Sequence, residues 1–202
     1  MVSTALVITA DALGLDPRRD DGIFDAFAMG AITQASFMVT GPSAATAAAR
    51  ARACGLPVGL HLDLTETPPS APPDQIPSLL DAHGTKLGKH GLREALAAGR
   101  VERAHVERET RAQIAAFTRA FGVPPAHVDG HQHVHAVPAL AELLAPVLAE
   151  AGVKSTRIPE QREVRVEDPD KARFYRSVAD DGAGARAIFA RAGGGSTGAV
   201  VG

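Results

Sequence analysis

Two patterns of apolar residues alternate along the chain. Short apolar runs rich in small and β-branched residues predict buried strands, and longer stretches with apolar residues three or four apart predict helices. The predicted strands cover residues 5–9, 35–39, 58–62, a segment that starts at 127, and 154–158. The predicted helices cover residues 20–30, 42–54, 91–99, 101–121, 138–151 and 183–192. This alternation predicts parallel β/α architecture, in which strands are joined by helices.

Local patterns add expectations about caps, surfaces and loops. Asp20 or Asp21 is expected to cap the first helix. Glu109 and its charged neighbours are expected to lie on the solvated face of the helix at 101–121. Residues 65–78 contain five prolines and predict a long loop at the rim of the fold, of the kind that carries function. Cys54 is expected to be a small buried apolar residue.

Polar residues suited to metal binding or catalysis lie at the ends of four predicted strands: Asp11, His61, His131 and Arg157. In parallel β/α folds the carboxyl ends of the strands collect the functional residues. One carboxylate and two imidazoles are a familiar ligand set for a divalent ion that also binds water. Such an ion would activate the water for hydrolysis of an amide or ester. Taken singly, Asp11 is equally consistent with a helix cap or turn, and His61 with a core histidine.

Four of the chain's eight histidines fall within residues 127–135. The density of polar groups there is too high for a core strand, so the segment predicts a short strand that ends in a polar loop. Asp129 is placed to orient a ligand histidine through the ring nitrogen that the ion does not use. A solvated, histidine-rich loop and a metal-storage loop are the alternatives.

These assignments carry geometric expectations. The ring nitrogens of His61 and His131 should lie within about 3–4 Å of each other if they share one ion. His133 should point away from that ion, because a step of one or two residues along a strand changes face or depth. His135 should lie nearby without necessarily binding it. Arg157 should face the site and pair with Asp11 or Asp129.

Composition excludes several classes of function. A length of 202 residues with 45% apolar content suits one domain with a sizeable core, and a net charge of −2 gives no electrostatic basis for binding nucleic acid or an anionic membrane. A single cysteine excludes an internal disulfide and a cysteine-based zinc site. No apolar run is long enough to cross a bilayer, and no signal peptide is recognised, so a cytoplasmic location is expected.

The chain resembles the YdjC-like carbohydrate deacetylases, which include the chitooligosaccharide deacetylases. The matching segments are residues 8–11, 22–23, 30, 59–62, 77–80, 109 with 113, 127–135 and 157–159. The resemblance implies a distorted (β/α) barrel of the glycoside hydrolase/deacetylase type that removes acetyl groups from N-acetylated sugars with Mg²⁺ or Zn²⁺. It also implies that His61 and His131 bind the metal and that Asp11 is the general base. Asp129, His133, His135 and Arg157 are then expected to orient the metal ligands or to contact the substrate.

The chain departs from the family pattern at two places. The family has a second Asp, a metal ligand, where this chain has Ala12, and a Phe where it has Leu13. A full barrel takes roughly 250 residues, so the barrel is expected to be incomplete at its C-terminus, where the family carries a His-Pro-Gly segment. Residues 1–192 are expected to form one domain, and residues 193–202 a flexible Gly-rich tail outside the barrel.

Two hypotheses about function follow. The first is a metal-dependent carbohydrate deacetylase whose activity is impaired by Ala12 and the short C-terminus. The second is a non-catalytic relative that keeps the fold and binds sugar or metal. An open barrel would also leave a strand edge that invites pairing with another copy of the chain.

Overall fold

Six parallel strands form one sheet in a computed structural model that describes residues 6–159, 167–193 and 195–196. Their order in the sheet is the order in the chain. The strands are β1 (Thr9–Leu13), β2 (Gln34–Phe37), β3 (Val58–Leu62), β4 (His127–Gly130), β5 (Ser155–Thr156) and β6 (Gly195–Ser196). Sequential order with parallel pairing throughout is the winding of a (β/α) barrel. The predicted α/β class is therefore confirmed, and in the part of the chain that the structure describes β1 and β6 form the two edges of the sheet.

Helices connect the strands and cover the sheet. They are α1 (Pro17–Ala28), α2 (Ala44–Cys54), α3 (Gly88–Ala97), α4 (Arg103–Phe121), α5 (Pro138–Glu150) and α6 (Pro169–Arg191). Short 3-10 helices lie at Pro73–Gln75, Pro77–Leu79 and His131–Ala136. None of the helices within the described residues is both long enough and apolar enough to cross a bilayer.

The first strand lies further along the chain than its apolar run predicts. β1 begins at Thr9, which pairs with Gln34 at the start of β2, and Leu6, Val7 and Ile8 are exposed. An apolar run does not by itself fix a strand boundary, because pairing begins only where the neighbouring strand begins. Asp11 consequently lies within β1 and not in the loop beyond it. The register shifts between Ala10 and Leu13, which is a β-bulge next to the polar cluster.

The cap of α1 also differs from the prediction. Asp16, not Asp20 or Asp21, accepts from the backbone N–H groups of the first turn, and Pro17 follows it at the first helical position. Asp20 is buried, and its carboxylate accepts from the backbone N–H of Gly14 at 2.7 Å and from the hydroxyl of Ser43 at 2.6 Å. Asp20 therefore links the segment after β1 to the start of α2 through hydrogen bonds.

The C-terminal helix is longer than predicted. Asp168 caps α6, which starts at Pro169, whereas the sequence predicted a helix only from residue 183. Its first half is rich in charge, yet buried residues such as Ala172 and Val178 form one packed stripe along it. The irregular segment predicted at 160–171 falls largely on residues 160–166, which lie outside the described residues.

The tail differs from its prediction at two residues. Gly195 and Ser196 form β6 and pair in parallel with Ser155 and Thr156 of β5, so this pair joins the sheet. The sequence predicted a tail over residues 193–202 that is separate from the barrel. The remaining residues of that segment, apart from Gly193, lie outside the described part of the chain.

An apolar core of aliphatic and aromatic side chains lies between the sheet and its helices. Phe37 of β2 packs edge-on against Phe117 and Phe121 of α4, with ring centroids 6.4 and 5.2 Å away. Such edge-to-face pairs stabilise a core beyond the area they bury. Cys54 is exposed and not buried as predicted, because it lies at the solvent-facing end of α2.

A buried ionic cluster joins α4 to the loop after β3. The ammonium group of Lys86 lies 3.3 Å from a carboxylate oxygen of Asp63 and 3.3 Å from one of Glu109, and the Lys86 and Glu109 side chains are fully buried. Gln113 receives a hydrogen bond from the backbone N–H of Asp63 and donates to Glu109. The helix pattern predicted a solvated face for Glu109, but its side chain is buried because the loop packs over that face of α4.

The carboxylate of Asp63 shapes the loop itself. It accepts from the backbone N–H groups of Thr65, Glu66 and Thr67 and from the hydroxyls of both threonines. Burial alone would raise the pKa of Asp63, but the Lys86 ammonium and these hydrogen bonds hold it well below its usual range. Because the folded-state pKa is the lower one, this stabilisation is present above the unfolded-state pKa and is lost as pH falls towards the folded-state value.

Replacing the buried Lys86 tests how much this ionic cluster contributes to the stability of the fold. Lys86→Met keeps the apolar stem but leaves two buried carboxylates without their cation, and we expect the free energy of unfolding to fall by about 3–5 kcal/mol. Urea denaturation at neutral pH measures it. Arg111→Met is the matched control, because it removes a solvent-exposed pair with Glu150 and should change stability little. Equal losses in the two variants would contradict the role given to Lys86.

Candidate active site

The site begins with two paired residues on neighbouring strands. His61 of β3 and Asp129 of β4 are register partners, so their side chains leave the sheet on the same side. The ring Nδ1 of His61 lies 2.6 Å from Oδ1 of Asp129, and both side chains are almost fully buried. A carboxylate only accepts, so this contact places the ring proton of a neutral His61 on Nδ1 and leaves Nε2 with a free lone pair.

Arg157 ties this pair to β1. It follows β5 directly, and its guanidinium donates to both oxygens of Asp11, at 2.8 and 2.7 Å. One of its nitrogens also lies 3.2 Å from Oδ2 of Asp129. The pairing predicted for Arg157 with Asp11 or Asp129 is therefore found with both carboxylates. Asp11 keeps 38% of its side chain exposed, so it remains open to a substrate.

Burial and charge act in opposite directions at this ion cluster. Burial would raise the pKa of Asp129, but His61 and Arg157 hold it well below its usual range. Burial likewise would lower the pKa of Arg157, but Asp129 and Asp11 raise it above its ordinary value. Both groups are consequently charged near neutral pH.

A second imidazole faces the free nitrogen of His61. Nδ1 of His131 lies 3.3 Å from Nε2 of His61, as expected for the two rings. His131 is the first residue after β4, which brings it to the carboxyl end of the sheet beside β3. Its other nitrogen, Nε2, lies 2.7 Å from a carboxylate oxygen of Glu66. Glu66 also accepts from the side-chain amide of Gln132 at 2.9 Å.

Two further histidines of the segment, His133 and His135, are shielded from solvent. His135 is fully buried, and its Nε2 lies 2.6 Å from the backbone oxygen of Arg157, so it fixes the backbone that carries the guanidinium. Burial lowers the pKa of both His133 and His135 to about 4, and both rings are therefore neutral near pH 7. Nδ1 of His133 is buried without a hydrogen-bond partner among the described residues. That His133 points away from a bound ion stays a prediction.

Two glycines make room for this packing. A Cβ atom at Gly59 would lie 2.2 Å from Nε2 of His127, and one at Gly130 would lie 2.6 Å from Nδ1 of His135. Contacts that short do not occur, so these strand glycines are required by the histidine rings that lie over them.

The backbone at the site is strained at three residues. Ala12, Gln132 and His133 have φ values of 62°, 52° and 57°, in the left-handed region that residues other than Gly, Asn and Asp rarely adopt. Such outliers cluster at functional sites, where the surrounding structure holds them. Ala12 is buried and has no polar group to compensate for its conformation.

The cluster offers ligands for a divalent ion. Asp11, His61 and Asp129 each contribute one ligand atom, and these atoms lie within 4.8 Å of one another. Such a set is consistent with a divalent metal. Arg157 already pairs with both carboxylates of this set, whereas the facing nitrogens of His61 and His131 make no contact with Arg157 among the described residues.

Two residues at the site were not singled out from the sequence. The hydroxyl of Ser36 lies 3.3 Å from Asp11 and 3.1 Å from Nδ1 of His61, and Glu66 contacts His131. A polar residue inside the apolar run 35–39 was the signal for Ser36. Glu66 could be found only through the folded loop, because it lies 65 positions before His131 in the sequence.

Comparisons with known proteins bear on this geometry. The family described as YdjC-like protein matches residues 5–201. A carbohydrate deacetylase of Mus musculus is 44% identical over 193 residues, which cover 93% of this chain and 62% of the relative. A chitooligosaccharide deacetylase of Serratia marcescens is 38% identical, over 69% of this chain and 53% of the relative. The chain thus spans about three fifths, or less, of the length of these two relatives.

A solved structure shares the fold. A protein of Enterococcus faecalis V583, named for cellobiose-phosphate cleavage, superposes with a TM-score of 0.68 at 27% identity. The superposition covers 87% of this chain and 64% of that protein. The matched residues, the identities and the shared fold agree with the resemblance seen in the sequence: this chain belongs to the YdjC-like family.

Proposed function

We propose that the chain is a metal-dependent hydrolase that removes acetyl groups from N-acetylated sugars. The observation that carries the proposal is the approach of His61 Nε2 and His131 Nδ1 to 3.3 Å, together with the partly exposed carboxylate of Asp11 on β1. The names of the relatives, carbohydrate deacetylase and chitooligosaccharide deacetylase, support the substrate class.

The donor set fits a divalent ion, with Zn²⁺ favoured over Mg²⁺. Two nitrogen ligands bound to zinc at about 2.1 Å in tetrahedral geometry lie about 3.4 Å apart, close to the observed 3.3 Å. Mg²⁺ prefers oxygen ligands and would find neutral imidazoles there. His61 and His131 would hold the ion. An ion so held would supply a bound water of lowered pKa and would polarise the acetyl carbonyl.

Asp11 is suited to accept a proton. Its Oδ1 accepts from Arg157 and Ser36, whereas among the described residues Oδ2 accepts from Arg157 alone, so Oδ2 has the freer lone pair for a proton taken from attacking water. Arg157 and Ser36 fix the plane of this carboxylate at the site opening. Asp129 holds the proton on Nδ1 of His61 and so keeps that ring oriented.

Ala12 favours a second candidate, a non-catalytic relative that binds sugar or metal. The family resemblance places a metal-binding carboxylate where Ala12 stands, and its loss removes negative charge from around the ion. If Asp11 replaces it as a ligand, Asp11 becomes a poorer base. Either way, we expect low hydrolytic activity from the chain as it stands, and none with Mg²⁺.

Acetate release from N-acetylated chitooligosaccharides tests the proposed activity. We expect slow release with Zn²⁺, and a further fall of about 10²–10⁴-fold in Asp11→Asn, which keeps the hydrogen-bonding shape but removes the base. Asp16→Asn, at an exposed helix cap, is the control. Absence of release from the unmodified chain with either metal would favour the non-catalytic relative, and rapid Mg²⁺-dependent release would contradict the weakened site.

A carboxylate at position 12 should restore metal binding. Ala12→Asp is expected to raise Zn²⁺ and Mg²⁺ affinity by roughly ten- to a hundredfold or more, measured by calorimetric titration. Ala12→Asn is the matched control, because Asn tolerates the left-handed backbone equally well but adds no charge. Equal affinities in the Asp and Asn variants would argue against a ligand role for this position.

Arg157 should stabilise the fold as well as orient Asp11. Arg157→Leu leaves Asp129 buried with a single partner, and we expect the free energy of unfolding to fall by about 2–4 kcal/mol in urea denaturation. Arg157→Lys should recover only part of this loss, since an ammonium group cannot form the two parallel hydrogen bonds to Asp11. Arg18→Leu, at an exposed pair, should change little. An unchanged Arg157→Leu variant would contradict the paired role.

A further inference from the structure

Glu66 lies outside the segments that carry the resemblance, and it contacts two consecutive residues of the histidine-rich segment. Its Oε2 lies 2.7 Å from Nε2 of His131, and its Oε1 accepts from the side-chain amide of Gln132 at 2.9 Å. About half of its side chain is exposed, on the side of His131 opposite His61. A single carboxylate thus bridges the imidazole and the amide.

The loop that carries Glu66 is held in place from below. The backbone N–H of Glu66 donates to the carboxylate of Asp63, at 3.0 Å to Oδ1. Asp63 is fixed in turn by the buried ammonium of Lys86, which also pairs with Glu109 of α4. The position of the Glu66 carboxylate is therefore set by a buried network and not by a freely moving surface loop.

The contact with Glu66 decides which nitrogen of His131 carries the proton. A neutral imidazole has one N–H, and an ionised carboxylate only accepts. Glu66 therefore draws the proton of His131 to Nε2, so that Nδ1 presents a lone pair to His61. Asp129 acts on His61 in the same way: it draws the ring proton to Nδ1, so that Nε2 presents its lone pair to His131.

We propose that Glu66 is a positioning residue that prepares His131 to bind a divalent ion. With both carboxylates in place, two lone pairs face each other across 3.3 Å, an arrangement that a shared cation relieves. Without Glu66, the proton of His131 can move to Nδ1 and donate to Nε2 of His61, which closes the site by a hydrogen bond. The inference rests on the proposed function only in placing the ion between these two rings.

The backbone next to His131 supports this role. Gln132 and His133 are both in the left-handed conformation, which is costly for residues with a Cβ atom. The hydrogen bond from Gln132 to Glu66 helps to hold that turn and with it the direction of the His131 ring. Removing Glu66 thus loosens the ring in addition to changing its tautomer.

Nitrogen-15 NMR of the metal-free protein tests the tautomer directly. Spectra are recorded at about pH 8.5, and the nitrogen shifts themselves distinguish a neutral ring from a doubly protonated one. We expect the Nε2–H form of His131 in the unmodified chain and the Nδ1–H form in Glu66→Ala, with His61 in the Nδ1–H form in both. Glu66→Gln can still accept from Nε2–H through its amide oxygen and should retain the tautomer of the unmodified chain.

Calorimetric titration with Zn²⁺ supplies the second measurement. Glu66→Ala should bind about ten- to a hundredfold more weakly than the unmodified chain, and Glu66→Gln should lie between them. Asp74→Ala is the matched control, because it removes an equal charge from an exposed residue of the same loop. Circular dichroism confirms folding of each variant, and Glu66→Gln alone carries the comparison if Glu66→Ala does not fold.

Two results would overturn the inference. The first is the same His131 tautomer in the unmodified chain and in Glu66→Ala. The second is a Zn²⁺ affinity of Glu66→Ala, or of Glu66→Gln where that variant carries the comparison, equal to that of Asp74→Ala. If the unmodified chain binds no Zn²⁺, the proposed metal site fails, and the tautomer comparison by itself still decides whether Glu66 directs the proton of His131.

Discussion

The buried carboxylate of Asp129 is the group on which the rest of the site depends. It is nearly inaccessible to water, and a charge in that position is tolerated only when cations and hydrogen bonds surround it. His61 and Arg157 meet this need from β3 and from the residue after β5, and Arg157 extends the chain of contacts to Asp11 on β1. One desolvated charge therefore links the carboxyl ends of strands that are distant in sequence. The exposed groups at the opening are oriented by this buried pairing beneath them.

A second buried network meets the first at His131. Asp63, Lys86 and Glu109 fix the loop after β3 against α4, and the same loop brings Glu66 to His131. The ring of His131 is thus held between two sets of buried ions, one on each side. This arrangement connects the stability of helix packing with the chemistry at the opening, because loosening the loop also loosens a ring nitrogen of the site.

The sequence predicted the architecture and much of the site because both follow from patterns that are local. The alternation of strands and helices predicted the parallel α/β class. Both ends of β3 were predicted correctly, because Gly55 ends the preceding helix and the apolar run covers residues 58–62. Asp11, His61, His131 and Arg157 were placed together because carboxyl ends of parallel strands meet at one edge. The residues whose positions were not predicted are those whose role depends on tertiary packing. Glu109 looked solvated until the loop covered its helix face, and the cap of α1 was misassigned because Asp20 turns inward to Gly14 and Ser43.

The bulge in β1 has a consequence for the parity of the strand. From Ala10 to Leu13 the chain advances three residues, while its partner advances two, from Ala35 to Phe37. Leu13 therefore enters the core on the same face as Phe37, and Asp11 stays level with Ser36 on the opposite face. Ala12 is the surplus residue that makes this division. In a strand of the same residues with strict alternation and no bulge, Leu13 would lie on the face of Asp11, so the bulge is what keeps an aliphatic side chain out of the polar cluster.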